Sequence, residues 1–197
     1  MSKTILVIGT LDTKSAEFSF ICDLIIKRGF KTLVMDTGVT GEPGFTPNIS
    51  AAEVAEAGGN SLETLRADAD RGAALEVMGN GARVLALKHF EASAFNGVIS
   101  LGGSGGTSIA TTAMLSLPVG LPKVMVSTMA AGDVSPYVDV KDVTMMYSVV
   151  DVAGLNSISR QIFANAVGAV CGMIEQEIPT AEDKPLIAAT MFGVTTP

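Results

Sequence analysis

The feature that most constrains this chain is the turn LeuGlyGlySerGlyGlyThr at 101 to 107, set between an unbroken apolar run and a segment of helical period. Gly97 to Leu101 reads as a buried strand, and Ile109, Ala113, Met114 and Leu117 mark one face of a helix that Pro118 closes. The same order of strand, small polar turn and helix opens the chain. Thr4 to Gly9 is continuous and apolar, Thr10 to Lys14 is a turn, and Phe18, Ile21, Leu24 and Ile25 recur at helical spacing. Asp12 or Thr13 is the expected cap of that helix, and Lys27, Arg28 and Gly29 are helix-end residues. Strands that alternate with helices imply parallel pairing, because a parallel neighbour needs a crossover long enough to hold a helix.

Further strands are predicted at Thr32 to Asp36, Val124 to Thr128 and Val143 to Val150. Hydrophobic residues make up 48% of the chain but aromatics only 5%, so the core is built from Val, Ile, Leu, Ala and Met, as suits a sheet covered on both sides. The expected fold class is therefore α/β: a Rossmann-like, doubly wound, mainly parallel sheet with helices on both faces. Thr37 to Asn60 reads as a long Gly- and Pro-rich loop with a helical patch at Ala51 to Ala57. Ser61 to Phe90 reads as two helices meeting near Gly79 to Gly81, where the glycines weaken helical propensity. Asn156 to Ile174 is an amphipathic helix with Ile158, Ile162, Phe163, Val167, Val170 and Ile174 inward, and its Ala164, Ala166, Gly168, Ala169 and Gly172 leave room for close packing on a sheet or partner helix. A last strand is expected at Leu186 to Thr190. Residues 1–180 then form one α/β domain, and 181–197 a linker and strand expected to lead toward a further domain beyond this sequence.

A net charge of −7 leaves no basic surface for nucleic acid or an anionic membrane, whose attraction is mainly to Lys and Arg, so neither is an expected partner. Residues 92–122 carry no charge, but Asn96, Pro118, Pro122 and many Gly, Ser and Thr interrupt the stretch, so it does not read as a membrane span. Cys22 and Cys171 lie far apart without metal-ligand spacing and read as reduced core residues. The first apolar run is too short for a signal peptide, and the expected location is cytoplasmic.

The chemistry implied by the turn is anion binding. Glycines let backbone N–H groups approach a ligand without Cβ obstruction, and the following helix directs its unpaired amides and positive end to the same point. The candidate binding residues here are Gly102, Gly103, Ser104, Gly105, Gly106 and Thr107. The alternative is a turn with no ligand, but four glycines in five positions exceed what a turn needs. The sequence lacks the Gly-Lys-Ser/Thr ending of a Walker A loop, and the first turn has one glycine where a dinucleotide fingerprint has three. From that turn come Gly9, Thr10, Asp12, Thr13 and Lys14. Lys14 is a candidate point charge for a phosphate, and Asp12 a candidate ligand for magnesium or a sugar hydroxyl; their alternatives are a solvated lysine and a helix cap. Asp36, with Gly38, ends the second strand where Rossmann-type sites accept ribose hydroxyls, the alternative being a loop-capping aspartate. Ser127, Thr128 and Gly132 end the fourth strand in the same layer, and Met129 with Met191, Phe192 and Gly193 could form an apolar slot for a base or simply fill core. Asp133, Asp139, Asp142 and Asp151 could together hold a metal, the alternative being an acidic surface. His89 reads as a surface or helix-end residue, and no nucleophile elbow, zinc motif or Cys–His pair is present. These residues support binding more than turnover, and no catalytic residue is assigned.

The motifs GlyThrLeuAspThrLys at 9 to 14, LeuGlyGlySerGlyGlyThr at 101 to 107, ValSerThrMetAla at 126 to 130, GlyAspValSerProTyrVal at 132 to 138, MetMetTyrSerValValAsp at 145 to 151 and MetPheGlyValThrThrPro at 191 to 197 occur together. In that combination the chain resembles the ATP-binding amino-terminal domain shared by the tomato tobamovirus-resistance protein and a group of bacterial proteins. The resemblance implies Rossmann-like subdomains that bind ATP, a tendency to form homodimers, and a carboxy-terminal domain; magnesium is expected to arrive with the phosphates. It supplies a ligand without a reaction. The expected role is therefore an ATP-binding regulatory or assembly domain. The alternatives are an ATP-dependent ligase, kinase or hydrolase completed by a further domain, and a site for a sugar phosphate or nicotinamide cofactor.

Overall fold

Successive side chains of a strand point to opposite faces of its sheet, and in the central strands both sets are apolar. In β1 (Thr4–Gly9), Ile5 and Val7 join one core while Leu6 and Ile8 join a second on the other side. The computed structural model describes residues 2–179. It contains one five-stranded, all-parallel sheet of order β2-β1-β3-β4-β5, completed by β2 (Lys31–Asp36), β3 (Gly97–Gly102), β4 (Lys123–Ser127) and β5 (Thr144–Tyr147). The doubly wound α/β reading of the sequence is met. The expected strand at Leu186 to Thr190 and the proposed division near residue 180 lie outside the described residues.

On one face, α1 (Ser15–Lys27) and α7 (Ser157–Glu175) bury Phe18, Ile21, Ile25, Phe163, Val167 and Val170 against Val7, Ile99 and Val126. On the other, α2 (Ala51–Ala57), α4 (Arg71–Glu91) and α5 (Ser104–Ser116) cover Leu6, Met35, Val98 and Met125. The short α3 (Leu62–Asp68) adds Leu65 to this core, and α6 (Ser135–Val138) lies between β4 and β5. Cys22 and Cys171 are buried and unpaired, as expected, and burial pushes the Cys22 thiol up to about 12, which keeps it an inert thiol.

Three sequence expectations change. The segment 61–90 does not break near Gly79 to Gly81, because α4 runs straight through both. The break comes at Ala69, which adopts φ 50°, followed by Asp70 as the cap of α4. The glycines serve packing instead: a Cβ on Gly81 would run into the Val54 carbonyl of α2, and one on Gly58 into the Val77 carbonyl of α4. Small residues thus let two helix backbones touch. In α7, Ile158 is not inward but 48% exposed. Strand β5 is also shorter than 143–150: after Tyr147 the Ser148 amide bonds the Ser127 carbonyl and the Val150 amide turns back onto Ser148, with Val149 at φ 63°. The end of α5 follows from Pro118, which holds Leu117 extended at ψ 154°.

Gly81 and Gly168 offer a direct comparison. Gly81→Ala forces α2 and α4 apart and is expected to cost about 2 kcal/mol or more, in the range of overpacked cores. A Cβ on Gly168 of α7 meets nothing among the described residues, so Gly168→Ala is expected to stabilise by about 0.5–1 kcal/mol through helix propensity. Thermal melts of the two variants check this opposition of sign.

Candidate functional site

Strand order reverses between β1 and β3. The chain leaves β1 through α1 on one face and leaves β3 through α5 on the other, so the carboxyl ends of these neighbours are not bridged by a common helix. A cleft of about 660 Å³ opens there, within the range of small-ligand sites. Its floor is the β1 turn at Thr10 and Asp12 to Lys14 and the β3 turn at Gly103 to Gly106. Its remaining walls come from Thr37, Val39 and Thr40 after β2, and from the junction of α3 and α4.

The β3 turn is shaped by its glycines at one tight point. A Cβ on Gly102 would stand 3.0 Å from the Gly106 Cα, so the chain can double back only without one. Gly103 is the N-cap of α5 and supplies no side-chain cap. The first internal bond of α5 is Thr107 N–H to the Gly103 carbonyl, which leaves the amides of Ser104, Gly105 and Gly106 without a helical acceptor. Thr107 and Ser127, by contrast, do not line the cleft. Their hydroxyls bond each other at 2.6 Å, Thr107 also donates to the Gly103 carbonyl, and Ser127 accepts from the Met129 amide, so the pair braces the turn from beneath.

The β1 turn differs from its sequence reading. The N-cap of α1 is Lys14, not Asp12 or Thr13, and no side chain caps the helix. Asp12 instead holds the loop after β2: its Oδ2 accepts from the Thr40 amide at 2.9 Å, the Thr40 hydroxyl at 2.7 Å and the Gly41 amide at 3.3 Å. Its Oδ1 is buried beside Gly38 without a hydrogen-bond partner among the described residues. Gly9 is covered by the Phe18 ring and leaves no space for a side chain.

Asp36 is 2% exposed and lies beneath the loop rather than on the cleft wall. Its Oδ1 accepts from the Leu11 amide at 3.0 Å and the Gly38 amide at 2.9 Å, tying the ends of β1 and β2 together. The loop-capping alternative is therefore the one the geometry shows. Burial raises its pKa, and the two amide bonds only partly oppose the rise. The four aspartates considered as a metal site are dispersed. Asp142 pairs with the buried Lys123 at 2.8 Å, Asp133 bonds the Ser135 amide, and no cluster of three or more His, Cys, Asp or Glu suited to a metal occurs among the described residues.

Thr128, Met129 and Gly132 sit at the end of β4 without lining the cleft, and Met191, Phe192 and Gly193 lie outside the described residues. The apolar wall comes from residues the sequence reading passed over: Val39, Leu65, Ala69, Ala74, Leu75 and Ile109. Arg66 and Arg71 were missed as well. Arg66 is committed to the loop, its guanidinium donating to the carbonyls of Val39 at 2.7 Å and Gly41 at 2.8 Å and pairing with Glu42 at 3.3 Å. Arg71 makes no ion pair among the described residues, and its Nη2 lies 3.7 Å from where a Cβ of Gly105 would stand.

These features define a doubly wound parallel-sheet domain whose switch-point cleft is lined by the start of α5 and by Lys14, Arg66 and Arg71. The chain belongs to the UPF0261 family, for the model of the Uncharacterised protein family (UPF0261) N-terminal domain matches residues 3–179. It is 53% identical over 197 residues to a UPF0261 protein of Clostridium tetani, covering 100% of this chain and 49% of that one. It is 45% identical over 196 residues to one from Rhizobium meliloti, covering 99% of this chain and 48% of that protein. The tomato (Solanum lycopersicum) ToMV resistance protein Tm-1(GCR237) is 32% identical over 219 residues, covering 100% of this chain and 29% of the plant protein. The chain thus spans about half the length of these bacterial relatives.

Asp36 gives a test by pH. Because its folded pKa lies above that of an unfolded aspartate, the stability it contributes is full below the ordinary aspartate value and is lost as pH rises through the raised one. Asp36→Asn keeps an oxygen for both amides and no charge, so it is expected to melt at or above the unsubstituted protein at pH 7, with the difference closing in acid. Asp36→Ala strands two amides and is expected to cost about 1–3 kcal/mol. Melting curves from pH 4 to 7 separate the three proteins.

Proposed function

We propose that the switch-point cleft binds a nucleotide, ATP, and that the domain serves a regulatory or assembly role rather than turnover at this cleft. One observation carries the reading: three consecutive uncapped amides, Ser104 to Gly106, begin a 13-residue helix and face a cleft that also holds Lys14 and Arg71. That donor set suits phosphate oxygens, for which helix N-termini and cations are the natural partners. The apolar stretch of Val39, Leu65 and Ala69 at the β2 side suits a base, and the hydroxyls of Thr37 and Thr40 suit a ribose between the two ends. Magnesium comes with the phosphates in this reading.

The preference for binding over chemistry rests on the two carboxylates in the cleft wall. Asp12 serves the amides of Thr40 and Gly41, and Asp70 serves those of Gly72 and Ala73 as the cap of α4. Both carboxylates hold backbone, Asp12 through its Oδ2 alone with the buried Oδ1 unpartnered among the described residues, and this structural use is what favours binding over chemistry. Among the described residues no helix is long and apolar enough to cross a membrane. A homodimer is the accompanying expectation from the resemblance, and a cytoplasmic location that from the amino-terminal sequence, with Gly168 and Gly172 of α7 leaving room for a partner helix among the described residues.

Calorimetric titration of the full-length protein with ATP and magnesium is expected to show binding and a raised melting temperature through mass action. Gly105→Val, which crowds Leu75 and blocks the amides, is expected to abolish binding while the fold persists. Lys14→Ala is expected to weaken it more modestly, by roughly fivefold. Full binding by Gly105→Val would remove the turn from the site.

A further inference from the structure

We propose that Arg71 reads the phosphate number of the ligand and so sets a preference for nucleoside triphosphate over monophosphate; this rests on the nucleotide reading of the cleft. Arg71 is the first residue of the 21-residue α4, and its guanidinium reaches over the start of α5 beside Gly105. It therefore stands at the positive ends of two helices. A cation is disfavoured at such a place and an anion favoured. No carboxylate compensates it: Arg71 forms no ion pair among the described residues, and the adjacent Asp70 directs Oδ1 to the amides of Gly72 and Ala73. Arg71 and three uncapped amides line one volume whose two carboxylates, Asp12 and Asp70, each accept backbone amides, and together they have the electrostatics of a polyphosphate seat.

The two arginines of this region separate by their bonds. Arg66 spends its fork on two loop carbonyls and Glu42, and so fastens the loop that carries Val39 and Thr40. Arg71 keeps its fork available. Its place is fixed by the backbone, because left-handed Ala69 ends α3 and Asp70 starts α4 so that the next side chain enters the cleft. The Ser104 to Gly106 amides can hold one phosphate without help. Arg71 adds a planar, bidentate partner for the next phosphate oxygens, which a monophosphate does not possess.

The experiment is calorimetric titration of ATP, ADP and AMP, each with magnesium, into full-length protein, Arg71→Ala and Arg71→Lys, with melting temperatures recorded in parallel. The unsubstituted protein is expected to favour ATP over AMP. In Arg71→Ala, ATP affinity falls by roughly ten- to hundredfold, as befits a lost charged hydrogen bond, while AMP affinity changes by less than about twofold. Arg71→Lys, which keeps the charge and loses the fork, recovers part of the ATP affinity and leaves AMP unchanged. Equal loss for ATP and AMP in Arg71→Ala, or no loss for either, overturns the proposal while leaving the nucleotide reading standing. Absence of all nucleotide binding by the unsubstituted protein overturns both.

Discussion

Everything distinctive about this domain follows from the reversal of strand order between β1 and β3. Adjacent parallel strands normally share helices that close over their ends, but here α1 and α5 depart to opposite faces. Neither helix start is capped by a side chain, and the first residues of α5, Ser104 to Gly106, line the space between. The first amides of a helix have no acceptor within it, and those of Ser104 to Gly106, exposed or half-exposed, are open to an acceptor from outside the helix.

The structural supports around the cleft show the same division of labour. Thr107 and Ser127 fasten the β3 turn, Asp36 fastens the loop after β2 to β1, and Asp12 and Arg66 fasten that loop from either side. These groups are polar and hydrogen-bonded to the backbone or to one another, apart from the buried Oδ1 of Asp12, which has no partner among the described residues. Besides that oxygen, what lines the cleft without a partner is cationic or amide in character: Lys14, Arg71 and the start of α5. Hydrogen-bonded walls and a floor of donors form the arrangement that the proposed anion binding requires, since donors already held in place need little reorganisation when a ligand arrives.

The sheet was legible in the sequence because its central strands are buried on both sides and read as unbroken apolar runs between polar turns. The β1 and β3 turns were legible for a related reason: small and polar residues concentrate where the chain turns tightly from strand to helix. Legibility failed where a residue's purpose is tertiary. Gly79 and Gly81 look like a helix break, yet the space Gly81 saves is needed by α2, some thirty residues earlier. Asp36 stands where a ribose-binding acid would, but the Leu11 amide claims it. Leu65, Arg71 and Leu75 belong to no motif, and only the left-handed turn at Ala69 carries them to the cleft. Alanine is an unpromising marker for such a turn, so no local signal announced it.

The most direct test of the central claim is a crystal structure of the full-length protein grown with ATP and magnesium. Phosphate oxygens within about 2.7–3.2 Å of the Ser104, Gly105 and Gly106 nitrogens are expected. Nucleotide bound elsewhere, with those three amides satisfied by protein groups, would contradict it.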